Sequence, residues 1–206
     1  MARSKSSSAW LQRHVSDRFV KRAQKEGARS RATYKLSELD ARDKLLRRGM
    51  AVVDLGAAPG GWSEYAAKRV LPGGRVIAVD LLEMAPIPGV KFLQGNFTEQ
   101  PVLDWIKERL GTTPADLVIS DMAPNMTGIA GTDQARSIEL AELALDFAEQ
   151  SLRAGGALLV KTFHGSGFDP LRERMRRGFA SIAVRKPEAS RAESREVYLL
   201  AKGFKG

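Results

Sequence analysis

Four ionisable residues stand where short apolar runs end. Asp54 lies one place before the end of Ala51-Val-Val-Asp-Leu55, and Asp80 closes Val76-Ile-Ala-Val-Asp80. Asp121 follows Ile119-Ser120, and Lys161 follows Leu158-Leu-Val160. Read as parallel strands, these runs place all four at carboxyl ends, where ligands and catalysis collect in open α/β sheets. A lysine closing so apolar a strand is costly to desolvate alone. Lys161 must therefore reach water along its stem, pair with a buried acid, or do chemistry. Asp121 taken singly could be a helix cap or turn former. On neighbouring strands, the two would border the reactive end of a bound ligand.

Between the first two acids runs Gly56-Ala-Ala-Pro-Gly-Gly-Trp62. Glycines at 56, 60 and 61 mark a turn tight enough for backbone to lie against a ligand. As a dinucleotide fingerprint the register is Gly56-x-Ala58-x-x-Gly61. Ala58 replaces the glycine that admits a pyrophosphate, and Pro59 removes an amide donor. A ligand without phosphates fits better, and S-adenosylmethionine is one; a nicotinamide-dependent oxidoreductase is disfavoured. Asp80 suits ribose hydroxyls of either ligand. Asp121-Met-Ala-Pro resembles the Asp/Asn-Pro-Pro-aromatic motif that grips a flipped base. Asn125 stands in place of the aromatic residue, which argues against base N-methylation. His14 and His164 are isolated and are read as non-catalytic. Neither metal-ligand spacing nor a Ser/His/Asp arrangement is present, so no metal is expected.

The elements that must position these residues follow a regular period. Strands are expected at 51–55, 75–79, 90–93, 116–120, 156–161, 180–185 and 196–202. Helices are expected at 61–70, 99–110, 132–153 and 168–177. Alternation predicts an α/β fold, a mostly parallel seven-stranded sheet with helices on both faces. The polar loop 186–194 is too short for a crossover helix, so the last two strands should pair antiparallel. Such a sheet is the usual Rossmann-like architecture of S-adenosylmethionine-dependent methyltransferases. Ahead of it, residues 1 to 8 read as disordered and a basic helix is expected from Trp10 to Gln24. Trp10, Leu11, Val15, Phe19 and Val20 recur along it. A second helix should start near Arg29, capped at Ser30, with Tyr34, Leu36 and Leu39 facing the core. Gly49 ends this preamble, giving an extension at 1–48 and a methyltransferase domain at 49–206.

The 206 residues suffice for one domain, and no apolar run approaches the roughly 20 residues that span a bilayer. There is no cysteine, which fits a reducing compartment. The start lacks a secretory core, and its basic, serine-rich character leaves a mitochondrial transit peptide as the lesser reading beside a cytoplasmic one. Charge is unevenly placed. Residues 1–48 hold 14 Lys/Arg against 5 Asp/Glu, residues 49–171 hold 9 against 15, and residues 172–206 hold 10 against 4. Two basic ends around an acidic, ligand-binding middle suggest a polyanion held beside the crevice.

Several stretches then converge. They are Ser8-Ala-Trp-Leu-Gln12, Arg29-Ser-Arg-Ala32 with Tyr34-Lys-Leu36, Asp54 to Trp62, Asp80-Leu-Leu82 and Phe92-Leu-Gln-Gly95. To these add Ser120-Asp-Met-Ala-Pro-Asn-Met126, Val160-Lys161, Arg185-Lys-Pro187 and Ser194-Arg-Glu-Val-Tyr198. Over nearly its whole length the chain resembles the FtsJ-type (RrmJ-type) ribosomal RNA 2′-O-ribose methyltransferases. The resemblance implies a catalytic set at Lys35, Asp121, Lys161 and Glu196. It implies S-adenosylmethionine contacts at Gly60, Trp62, Asp80, Asn96 and Asp121, with Asp54, Gly56, Pro59, Gly61, Leu81 and Phe97 completing that site. The family usually has Asp where Asn96 stands; an asparagine carbonyl can still accept from the adenine amino group.

The chemistry implied is direct displacement at the sulfonium methyl by a ribose 2′-hydroxyl, which needs alignment and help with the proton. Two versions stay open for Lys161. As a base it must be neutral, which Lys35 would favour and Asp121 and Glu196 oppose. As a cation it would orient the hydroxyl and stabilise the developing oxyanion. Arg29, Arg31, Lys35, Arg191, Arg195 and the amino-terminal helix are expected to hold RNA, with the Arg172–Arg177 and Arg185–Arg195 segments as a further phosphate track. The expected partner is a uridine of large-subunit (23S) ribosomal RNA in the subunit, met by a monomer. Transfer RNA as substrate, or a catalytically idle ribosome-assembly factor, are the alternatives.

Overall fold

The structure, a computed structural model, describes residues 17–191 and 194–206. Its core is a seven-stranded sheet in the order β3-β2-β1-β4-β5-β7-β6. The strands are β1 (Ala51–Leu55), β2 (Arg75–Asp80), β3 (Val90–Gln94), β4 (Ala115–Ser120), β5 (Leu152–Phe163), β6 (Phe179–Arg185) and β7 (Glu196–Phe204). The first five run parallel; β7 lies antiparallel between β5 and β6. Six helices complete the described residues: α1 (Arg18–Glu26), α2 (Ala32–Asp43), α3 (Gly61–Val70), α4 (Gln100–Leu110), α5 (Ala130–Ser151) and α6 (Phe168–Gly178).

Strand side chains alternate between two cores. Val53 and Leu55, with Val118, Leu199 and Ala201, pack against Ile106 of α4, Leu145 of α5 and Leu171 of α6. Val52, Leu117, Ile119, Leu159 and Leu200 face the other way, onto Leu36 and Leu39 of α2 and onto Ala66 and Val70 of α3. Helix α2 is therefore half of one layer, although it precedes the first strand. Its Tyr34, Leu36 and Leu39 are buried as expected.

Three boundaries differ from the sequence expectation. The described part of the first helix begins at Arg18, capped by Asp17, and runs on to Gly27 in the left-handed region; Trp10, Leu11, Val15 and His14 lie outside the described residues. Ser30 does not cap α2: the cap position is Arg31, and it makes no side-chain cap bond. Helix α5 ends at Ser151 and β5 begins at once, because Leu152 pairs with Ala115 before a bulge re-enters the ladder at Ala157. Gly155, at φ +78°, carries the chain through that irregularity instead of ending the strand.

Candidate active site

Register brings the ionisable residues together. Ser120 pairs with Val160 across the parallel β4–β5 ladder, so Asp121 and Lys161 leave the sheet side by side. Lys161 pairs with Tyr198 across the antiparallel β5–β7 ladder, and Glu196 sits two residues before Tyr198, hence on the same face. Lys35 arrives from α2. Lys161 Nζ lies 2.9 Å from Asp121 Oδ1, and it also donates to the backbone carbonyl of Asp121. Lys35 Nζ lies 2.7 Å from Glu196 Oε1 and 3.7 Å from Asp121 Oδ1. The four expected catalytic residues thus form one cluster, with Lys35 and Lys161 themselves buried.

Tyr198, quoted in the sequence motif but given no role there, ties the carboxylates together. Its hydroxyl donates to Asp121 Oδ1 at 2.7 Å and stands 3.3 Å from Glu196 Oε1. Burial, then the Asp121 and Glu196 charges, push that hydroxyl well above 10 and keep it a donor. Burial alone would raise the Asp121 carboxyl; Lys161, Lys35 and the Tyr198 hydroxyl outweigh it and hold Asp121 below its ordinary 3.8, ionised. The signal that could have found Tyr198 is its i, i+2 spacing from Glu196 on one strand.

Beside this cluster lies an open recess lined by the 56–59 turn, Gly61, Trp62, Asp54, Asp121 and, from the amino-terminal segment, Ser30 and Ala32. Asp54 is wholly buried, and Ser63 Oγ donates to it at 2.6 Å. Desolvation drives its carboxyl up to about 7; the Ser63 bond opposes this, and the Asp121 and Asp80 charges reinforce it. The glycines also serve the protein's own packing. Gly56 and Gly60 have φ of +75° and +101°, so they are required by the turn itself. A Cβ on Gly56 would meet Met122 at 2.2 Å, one on Gly60 would meet Ile87 at 2.6 Å, and one on Gly61 would meet Ser30 Oγ at 2.4 Å. Protein loops, not only a ligand, close on this turn.

Other expected cofactor residues divide. Asp80 accepts from Ala58 N and Leu82 N, one bond to each carboxylate oxygen, both 2.8 Å, which leaves each oxygen a further lone pair. Leu81 is two-thirds exposed beside it. Trp62 is buried against Tyr198, and its indole donates to Ala32 O at 2.7 Å. Phe97 is buried in the core, edge-on to Phe147 at 6.3 Å. The Asn96 carbonyl oxygen, expected to meet adenine, accepts from both Thr98 N and Thr98 Oγ1 at 3.1 and 2.8 Å. Its acceptor capacity is used locally, and its NH₂ donors remain.

The arginines expected on RNA also divide. Arg29 donates to the carbonyls of Pro59, Ala85 and Pro86, clamping two loops of the crevice. Arg31 donates to Asp17 and to the Ala189 carbonyl. Both guanidinium groups are engaged inside the protein, because backbone carbonyls accept from arginine as phosphates do. Arg191 lies 3.8 Å from Asp17, while Arg195 is exposed.

A buried lysine–carboxylate cluster stands at the carboxyl ends of β4 and β5 and the amino end of antiparallel β7, next to a glycine-turn recess. The FtsJ-like methyltransferase model covers residues 28–204. The chain belongs to the FtsJ-like methyltransferase family. Among its relatives, the ribosomal RNA large subunit methyltransferase E of Thiobacillus denitrificans is 56% identical over 97% of this chain and 91% of that protein. The protein of the same name from Marinobacter nauticus is 56% identical over 100% and 99%. A solved Plasmodium falciparum structure described as a ribosomal RNA methyltransferase superposes with a TM-score of 0.77 at 32% identity, covering 86% of this chain and 99% of that one. A Clostridium thermocellum protein described as an rRNA methylase, at 15% identity and a TM-score of 0.54, shares the fold alone. No helix among the described residues of this methyltransferase is long and apolar enough to cross a membrane.

Proposed function

We propose that this methyltransferase moves the methyl group of S-adenosylmethionine to a ribose 2′-hydroxyl of large-subunit ribosomal RNA, at a uridine of the subunit in the cytoplasm. The observation that carries the reading is the Lys161–Asp121 pair beside the recess, with Lys35 and Glu196 next to it.

The recess suits the donor's amino-acid end. Asp54 and Asp121 offer carboxyl groups to an ammonium, and the first N–H groups of α3, which no side chain caps, suit a carboxylate. Asp80 has acceptor capacity left for ribose hydroxyls. Asn96, with its oxygen taken by Thr98, offers a donor to the base edge. When bound, the donor supplies an activated sulfonium methyl. The chain's residues do the rest. Lys161 gives two N–H groups to Asp121, through its carboxylate and its carbonyl, and an ammonium keeps a third for a hydroxyl oxygen. That favours the version in which Lys161 orients the 2′-oxygen and stabilises its developing charge. Asp121 and Glu196 are the carboxylates placed to receive the proton. Arg195 and the basic α6 surface serve the phosphates, with the amino-terminal extension on the same side of the reading.

The test is transfer of labelled methyl to undermodified large subunits, free ribosomal RNA and bulk transfer RNA, followed by nucleoside analysis. Label recovered as 2′-O-methyluridine from the subunits or their RNA is the expected result. Label on transfer RNA alone, or on a base, would overturn it.

A further inference from the structure

The loop between β6 and β7 carries a buried side chain that the scheme above leaves unused. Ser190 is 6% exposed, and its Oγ donates to Glu196 Oε1 at 2.8 Å. The same oxygen receives Lys35 at 2.7 Å and faces the Tyr198 hydroxyl at 3.3 Å. Lys35 thereby sits a full ångström nearer to Glu196 than to Asp121, whose Oδ1 is left to Lys161 and Tyr198. Glu196 thus decides how two lysines divide between two carboxylates.

Ser190 is itself placed by other contacts. Ala189 is wholly buried against Ala23 and Tyr34, and its carbonyl accepts from Arg31. Glu188 N donates to the Glu38 carboxylate, 2.8 Å from Oε2. Ser190 N donates to Pro187 O at 2.9 Å. The loop is pinned to α1 and α2, so the hydroxyl reaches Glu196 from a fixed frame. A serine merely burying its hydroxyl needs one acceptor of any kind, and two carbonyls of this turn, Pro187 and Ala189, already accept from Ser190 N and Arg31. The bond goes instead to the carboxylate that holds Lys35.

We propose that Ser190 is a positioning residue: its hydroxyl fixes the Glu196 carboxylate so that Lys35 stays on Glu196 and Lys161 keeps Asp121. The inference rests on the reading of Glu196 and Lys161 as reaction residues.

The test compares Ser190→Ala, Ser190→Thr and Glu196→Gln in the full chain. Turnover on undermodified subunits, binding of S-adenosylhomocysteine, thermal melting and the ¹³C signal of the Glu196 carboxylate are measured. Losing a hydrogen bond to a charged group should lower kcat about tenfold in Ser190→Ala, with KM and cofactor binding within about twofold. The Glu196 signal should move, and Ser190→Thr should restore both. Unchanged kcat in Ser190→Ala would overturn the proposal. So would a Thr variant that melts like the parent yet loses as much activity as Ala. The Glu196→Gln variant separates the two readings: if it keeps full activity, the catalytic reading of Glu196 falls, and with it the positioning role, whatever the contact does.

Discussion

Lys161 holds Asp121 twice, by a 2.9 Å contact to the carboxylate and by a second bond to the same residue's backbone carbonyl. The first bond neutralises a buried charge; the second fixes where the lysine stem lies. Replacing Lys161 with Ala should leave cofactor binding within a few-fold, because Asp121 keeps Tyr198 and Lys35 as partners, and reduce transfer by at least about a thousandfold. Isothermal titration with S-adenosylhomocysteine and single-turnover methylation separate the two effects. Near-normal turnover would remove Lys161 from the mechanism.

Asn96 offers a donor where the family usually offers a carboxylate. In Asn96→Asp one oxygen can keep Thr98 while the other accepts from the adenine amino group. Affinity for S-adenosylhomocysteine should rise about 5- to 10-fold, the worth of one charge-assisted hydrogen bond near solvent. A drop in affinity would show that the amide NH₂ already has an acceptor on the base.

Asp54 supplies a pH signature. Its folded carboxyl titrates at about 7 against an ordinary 3.8. From pH 4 to pH 7 the unfolded chain loses this proton before the folded one does, so stability falls as pH rises through that window. Asp54→Asn keeps an acceptor for Ser63 and removes the effect. Relative to the parent, the variant should gain on the order of 2–3 kcal/mol between pH 5 and pH 8. Urea denaturation at the two pH values measures it, and a pH-independent difference would count against the buried-acid account.

Arg31 and Arg195 should behave oppositely. Arg31→Ala breaks a shielded contact to Asp17 and the hold on Ala189, costing about 1–3 kcal/mol of stability while the salt dependence of RNA binding stays put. Arg195→Ala should leave the melting temperature alone and flatten the salt slope by about one. Equal salt slopes in both variants would return Arg31 to the RNA surface.

The strand ends were legible because each apolar run is short, bounded and followed by its functional residue; Asp121 and Lys161 need only the parallel register to become neighbours. The α/β alternation and the reversed last strand were legible for the same reason. Lys35 and Glu196 were not visible from pattern, since one sits on a helix and the other on an antiparallel strand, and only the resemblance joined them. Phe97 packs in the core, and the 56–61 glycines meet protein loops as well as lining the recess, because an apolar ring or a bare Cα serves a core contact as well as a ligand. The bonds of Arg29 and Arg31 to backbone carbonyls were not legible, because charge says nothing about whether a carbonyl or a phosphate is nearer. Ser190 gave no signal at all: its role exists only once the loop is folded.

The amino-terminal segment does more than precede the sheet. Ser30 and Ala32 wall the recess, Trp62 hangs its indole on Ala32, Arg29 grips the Pro59 carbonyl, and Lys35 completes the cluster. A minimal enzyme cut before Gly49 would keep every strand and forfeit Lys35 from the cluster and Ser30 and Ala32 from the recess wall. The segment ahead of the sheet and the sheet itself build one site, and truncation should weaken S-adenosylhomocysteine binding and abolish methyl transfer together.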